Sequence, residues 1–196
     1  ISTTDFGDKT YYAKWNVDSY DITLDIDGGT INSGNIDSYT YGVGATLPTD
    51  ITKTGYSFKG WYDNSSYTGD PISSVLSTET GDKEFYARWD VNKYTITYVT
   101  NNGTINASNV TQYTYGVGAT LPTNVTKTGH TFAGWYTNDS YAGERMTSIS
   151  TTTTGDKTYY AKWNVNSYNV TLNTDGGIIN SGNIASYTYG VGATLP

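Results

Sequence analysis

The sequence predicts a tandem array of small, β-rich α+β units, each a mostly antiparallel sheet carrying at most one short helix. Three observations predict it. Tyr41-Gly-Val-Gly-Ala-Thr-Leu-Pro48 returns at 115–122 and again at 189–196, a fixed period of 74 residues, and such self-similarity marks repeated structural units. Tyr20-Asp-Ile-Thr-Leu-Asp-Ile26 alternates apolar and polar residues, the period-two signature of a half-buried strand. Tyrosine, threonine, valine and isoleucine dominate the regular segments while leucine, glutamate and alanine are sparse, a composition that fits a pleated surface better than a helix.

Placing each boundary after a tryptophan gives two complete copies, 16–89 and 90–163. A C-terminal repeat fragment (1–15) precedes them and an N-terminal repeat fragment (164–196) follows. The two complete copies agree, without a gap, at about 41 of 74 positions. Because both ends fall within a repeat, the chain reads as a window cut from a longer array. A unit of 74 residues is near the lower limit for independent folding, so beads on a string are expected rather than a continuous solenoid.

Within a unit, the first strand (20–26, 94–98, 168–172) runs into Asp27-Gly-Gly, Asn102-Gly or Asp175-Gly-Gly, where the turn residues supply the positive φ of a tight hairpin. The stretch 35–41 fits a short helix or a strand, with Ser38-Tyr-Thr-Tyr41 favouring the strand. Gly42 and Gly44 make a bend, and 48–54 reads as a loop. Gly55-Tyr-Ser-Phe-Lys-Gly-Trp-Tyr62 is a strand in which Phe58 and Trp61 have opposite parity, so both reach one core only if Gly60 interrupts the pleat as a bulge. After a polar loop to Asp70, Ile72 to Leu76 reads as a single helical turn. Lys83 to Trp89 closes the unit as a strand with Phe85, Ala87 and Trp89 on one face. Only Asp90-Val-Asn-Lys93 then separates Trp89 from Tyr94, too short for a flexible linker, so successive units should extend as a semi-rigid rod.

Composition excludes several function classes. There is no cysteine, hence no disulfide, thiolate metal site or thiol nucleophile. The formal charge is −7 and the eleven Lys and Arg are scattered, so nucleic acid is not an expected partner. No apolar run is long enough to insert into a membrane within this window.

The succession Y-x-I-T, D-G-G or N-N-G, T-L-P-T, T-K-T-G-Y-x-F-x-G-W-Y and G-D-K-x-x-Y-A-K-W resembles the Listeria-Bacteroides repeat, the B repeat of internalin-type surface proteins. Residues 20–89 and 94–163 cover the motif. Thr52-Lys-Thr-Gly-Tyr-Ser-Phe-Lys-Gly-Trp-Tyr62 together with Ala87-Arg-Trp89 is its most specific part. The resemblance implies a β-grasp-like, ubiquitin-like unit carried on secreted or wall-anchored bacterial proteins, acting as spacer or adhesion module without known catalysis. Leucine-rich repeats, sorting signal and anchoring modules are not in this window.

The two copies provide an internal control on candidate chemistry. His130, the single histidine, has Tyr56 as its counterpart and reads as a strand-surface or partly packed ring rather than a metal ligand or general base. Asp25-Ile-Asp-Gly-Gly has the look of a calcium loop, but the next copy reads Val99-Thr-Asn-Asn-Gly, which favours a turn. Asp82 and Asp156 persist in Gly-Asp-Lys turns, where a carboxylate caps backbone amides. Glu79, Glu84 and Glu144 become Thr153, Thr158 and Asp70, so no common acid or base emerges. No catalytic residue, cofactor site or metal site is therefore expected. Lys53 and Lys127 recur beside Asp or Asn and raise an internal isopeptide crosslink, without an identifiable buried acid. The 20 tyrosines and 5 tryptophans are the remaining lead. Trp61 and Trp135 read as core, while Tyr67 and Tyr141 in the variable loop are candidate ligand contacts.

The leading expectation is a non-enzymatic extracellular stalk or spacer of a bacterial cell-surface protein. The first alternative is a multivalent adhesion module whose Tyr67 and Tyr141 loops meet a host glycan or protein, many weak contacts adding through effective concentration. The second is end-to-end self-association into fibres through unpaired strand edges.

Overall fold

The computed structural model describes residues 1–106 and 109–196. The chain forms two compact units, Ile1–Asp90 and Val91–Pro196.

In the first unit the strands are β1 (Ser19–Asp25), β2 (Thr30–Ile31), β3 (Ser38–Thr40), β4 (Ala45–Thr46), β5 (Ile51–Thr52), β6 (Tyr56–Tyr62), β7 (Ser74–Val75) and β8 (Lys83–Val91). The main sheet has the order β3-β1-β8-β6. At its centre β1 and β8 run parallel, Ile22 opposite Lys83 through Asp25 opposite Tyr86, while β1 and β3 are antiparallel. Two short antiparallel ladders, β2 with β5 and β4 with β7, complete the unit.

The second unit repeats this plan with β9 (Lys93–Val99), β10 (Thr104–Ile105), β11 (Gln112–Thr114), β12 (Ala119–Thr120), β13 (Val125–Thr126), β14 (His130–Tyr136), β15 (Ser148–Ile149) and β16 (Lys157–Val165). Its sheet order is β11-β9-β16-β14, again with a parallel central pair. It also holds a terminal hairpin, β17 (Ser167–Asn169) with β18 (Ser186–Thr188).

Two expectations are corrected. The unit is all-β, not α+β: no helix forms among the described residues, and the helix-bearing β-grasp that the family likeness implied is not what the chain adopts. Ile72 to Leu76, expected as a helical turn, is extended. The Ile72 amide donates to the Trp61 carbonyl at 2.8 Å, and Val75 pairs with Ala45. A helical turn of five residues costs more to nucleate than it returns, whereas Ile72 and Val75 gain ladder bonds and core contacts as strand. The turn at Asp27 is tight, with positive φ at Asp27, but β1 and β2 are not a hairpin pair, because β2 pairs with β5 across the expected 48–54 loop. The β-rich character holds in both repeats, while residues 1–18 carry no strand.

The two cores use the same eight positions. Ile22, Tyr39, Leu47, Ile51, Trp61, Val75, Phe85 and Ala87 are buried in the first, and the residues 74 positions later are buried in the second. Each tryptophan is all but inaccessible, 1% and 2% exposed, and donates its indole N–H at 2.7 Å to the carbonyl of Pro48 or Pro122, so the one polar atom is satisfied. The bulge is present: pairing of β14 with β16 slips between Phe132 and Gly134, and Gly60 and Gly134 have φ of 128° and 131°. Phe58 thereby reaches Trp61 and Trp89, with ring centroids 5.5 and 5.4 Å apart.

The cores differ in one titratable respect. Leu24 and Phe85 are replaced by Tyr98 and Tyr159, and burial, with Tyr159 nearby, pushes the Tyr98 phenol up to about 12. A phenol whose folded pKa is raised adds stability that is complete below its ordinary pKa and lost as pH rises through the folded value. The second unit is therefore expected to unfold in alkali between about pH 10 and 12, ahead of the first. Amide spectra separate Ile22 from Ile96, and Tyr98→Leu should raise the second transition. Coincident transitions in the unmodified chain would contradict this.

Candidate functional site

The loops that carry Tyr67 and Tyr141 are built alike. Asn64 brackets the first: its Oδ1 accepts from the Thr68 amide at 3.1 Å and its Nδ2 donates to the Thr68 carbonyl at 3.0 Å. Asn138 makes the same pair of bonds to Ala142. The bracket holds Tyr67 and Tyr141 at φ of 52° and 55°, a conformation that an aromatic residue rarely adopts. Each ring then meets Tyr62 or Tyr136 edge-on, with centroids 5.8 Å apart. Arg88 lies over the Tyr62 ring, and Lys162 lies over Tyr136 and Tyr141. Both candidate tyrosines are half-buried. The arrangement is a repeated tyrosine–tyrosine–cation stack, and in the second copy Asn101 fixes it further by donating to the Tyr141 hydroxyl at 2.9 Å. The stack presents ring edges.

The acidic candidates have structural partners. Asp25 accepts the Asp27 amide at 3.0 Å, and the Asp27 carboxylate faces Lys53 at 2.8 Å. Asp82 and Asp156 cap the amides of Asp21 and Thr95 at 2.9 and 2.7 Å, across to the first strand of each unit. Lys53 stands over the Tyr56 ring with its side chain largely covered, but its carboxylate partner Asp27 is 64% exposed, unlike the buried acid that an isopeptide bond needs. Among the described residues no cluster of three or more His, Asp or Glu is placed to hold a metal ion.

The most constructed feature lies where β16 passes into the terminal hairpin. One residue, Asn166, separates β16 from β17. Its amide donates to the Gly129 carbonyl at 2.9 Å, its side-chain oxygen accepts from Thr131 at 2.7 Å, and its carbonyl accepts the Tyr189 amide at 2.9 Å. The Tyr189 ring covers Gly129, where any Cβ would run into the ring, and meets His130 edge-on at 5.7 Å. His130 is held by a 2.8 Å bond between Nδ1 and the Thr128 carbonyl, so the lone histidine is a packing element of this junction. The sequence showed the linker to be short but not this clasp. Its signal was the retention of Gly at 55 and 129 and of Tyr at 41, 115 and 189.

These features define a tandem all-β repeat protein with two near-identical cores and structurally engaged polar residues. The chain belongs to the Listeria-Bacteroides repeat family, whose model matches residues 20–88 and 94–162. It is 34% identical over 166 residues to a predicted Gly-rich membrane protein of Evansella cellulosilytica, covering 85% of this chain and 18% of that one. A second predicted membrane protein of that organism is 34% identical over 168 residues, 86% of this chain and 24% of the relative. Internalin H of Listeria monocytogenes is 32% identical over 157 residues, 76% and 26% of the two chains. The chain thus spans about a quarter or less of the length of these relatives. No solved structure matches.

Proposed function

We propose that this chain is a non-catalytic spacer, a stretch of stalk in an extracellular protein of the bacterial cell surface. The clasp of Gly129, Asn166 and Tyr189 carries the reading: a linker of one residue with three anchored groups leaves the following hairpin little freedom, which is what a load-transmitting array needs. The names of the relatives, membrane protein and internalin, support a place in the cell envelope. The changes of Glu79, Glu84 and Glu144 between copies support the absence of catalysis.

Nitrogen-15 relaxation tests it. In the unmodified chain the amides of Ser167–Asn169 should show order parameters near ~0.85, like the rest of the second unit, and Tyr189→Ala should drop them below ~0.6. Low order parameters before substitution would mean a floppy joint and would sink the spacer reading.

A further inference from the structure

β1 has seven residues, but β3 covers only its first half. The ladder pairs Ser19 with Thr40, Tyr20 with Tyr39 and Asp21 with Ser38, and its last bond runs from the Ile22 amide to the Asp37 carbonyl at 2.8 Å. That parity fixes where the next backbone groups point. Ile22 addresses β3, whereas the Asp21 amide addresses the other side, where it meets Asp82. Leu24 has the parity of Ile22, so its N–H and C=O turn to the β3 side, beyond the point where β3 has ended. There the chain stands back, and Leu24, Ile26, Ile31, Asn35, Ile36 and Asp37 line an open groove of about 490 Å³.

Among the described residues, the second repeat shows the same gap. The Ile96 amide bonds to the Thr111 carbonyl at 2.8 Å, Tyr98 takes the place of Leu24, and a groove of about 650 Å³ opens beside Tyr98, Ile105 and Asn109. The register therefore recurs in copies that differ at about 33 of 74 positions, the 74 of the period less the 41 that agree. An exposed strand edge with an adjoining groove of mixed apolar and polar lining is a geometry by which sheets accept an added strand, main-chain bonds giving affinity and alternate side chains giving selection.

We propose that this open half-edge is a β-augmentation site for an extended peptide that enters antiparallel, in line with β3. A residue opposite Leu24 exchanges both backbone bonds with it and turns its side chain inward onto Ile26, Ile31 and Ile36, so apolar residues are selected there. Its sequence neighbours point outward beside the exposed Asp21, Asp25 and Asp37, so lysine or arginine is selected at those positions in the first repeat. The second repeat has Thr95, Val99 and Thr111 instead and lacks that charge preference. The partner is thus a strand of alternating apolar and basic residues. The site goes beyond the spacer reading, and its failure leaves that reading untouched.

The test is amide exchange by NMR on the 196-residue chain with the capped hexapeptide Lys-Val-Lys-Val-Lys-Val. At saturation, exchange of the Leu24 and Tyr98 amides should slow by at least ~10-fold, with tighter binding at Leu24 and a difference that shrinks in salt. Asp37→Asn should weaken the first site and leave the second unchanged. The same peptide N-methylated at its valines keeps its charge but cannot pair with Leu24. Equal protection by that peptide, or unchanged exchange at Leu24 with the first, overturns the proposal.

Discussion

Trp61→Ala is expected to unfold the first repeat in water at 25 °C while the second keeps its dispersed amide spectrum. The indole is the largest buried side chain of its core, touches Phe58, and fixes the Pro48 carbonyl through a 2.7 Å bond. Truncating a buried tryptophan costs about 3–5 kcal/mol, and the Pro48 carbonyl, left without its donor, adds about 1 kcal/mol. A unit of 74 residues has roughly 4–11 kcal/mol in all, so the loss consumes most or all of it. Trp61→Phe should fall between, because it keeps most of the apolar volume and loses the hydrogen bond. Urea titration followed by the Ile22 and Ile96 amides reports the two cores separately. A loss below about 1 kcal/mol would show that the core collapses onto the space and that the indole does not organise it.

The bulge and the core tryptophans are legible because each rests on residues adjacent in sequence or on a parity that admits one resolution, whereas the Gly-Asp-Lys turn marks Asp82 as a cap without showing that the amide it caps is that of Asp21. Phe58 and Trp61 cannot share a core without an interruption, and Gly60 stands between them. The failures have a common cause in pairing between distant segments. Ile72, Val75 and Leu76 have the i, i+3, i+4 spacing of a helix face, yet Val75 is buried through its ladder with Ala45 while Leu76 is 60% exposed. The parallel contact of β1 with β8 closes about 57 intervening residues and leaves no local trace. The open edge beside Leu24 is equally silent, because alternation in 20–26 marks a strand without saying how much of it a neighbour covers. For the candidate site, the sequence located the Tyr67 and Tyr141 loops but not the Asn64 and Asn138 brackets. It read His130 as a strand-surface or partly packed ring, which fits its packing against Tyr189, but it did not show that partner.

The two bulge glycines allow backbone strain to be separated from packing, since both copies share the conformation and differ in what lies against it. At φ of 128° and 131° a side chain is strained whatever the space, a cost on the order of 1–3 kcal/mol for each alanine. At Gly60 the new Cβ would also lie 2.6 Å from the Pro71 Cβ, a ring atom that cannot turn away without moving its backbone. At Gly134 the nearest atoms are Cδ and Cγ of Arg145, an exposed and flexible side chain that can swing into water. Gly60→Ala is therefore expected to cost about 1–3 kcal/mol more than Gly134→Ala, the usual cost of overpacking a tight contact. Denaturation of the two single variants, each read through its own core amides, gives the difference. Pro71→Ala in the Gly60→Ala background should recover part of it. Equal losses in the two repeats would assign the whole effect to φ and remove Pro71 from the account.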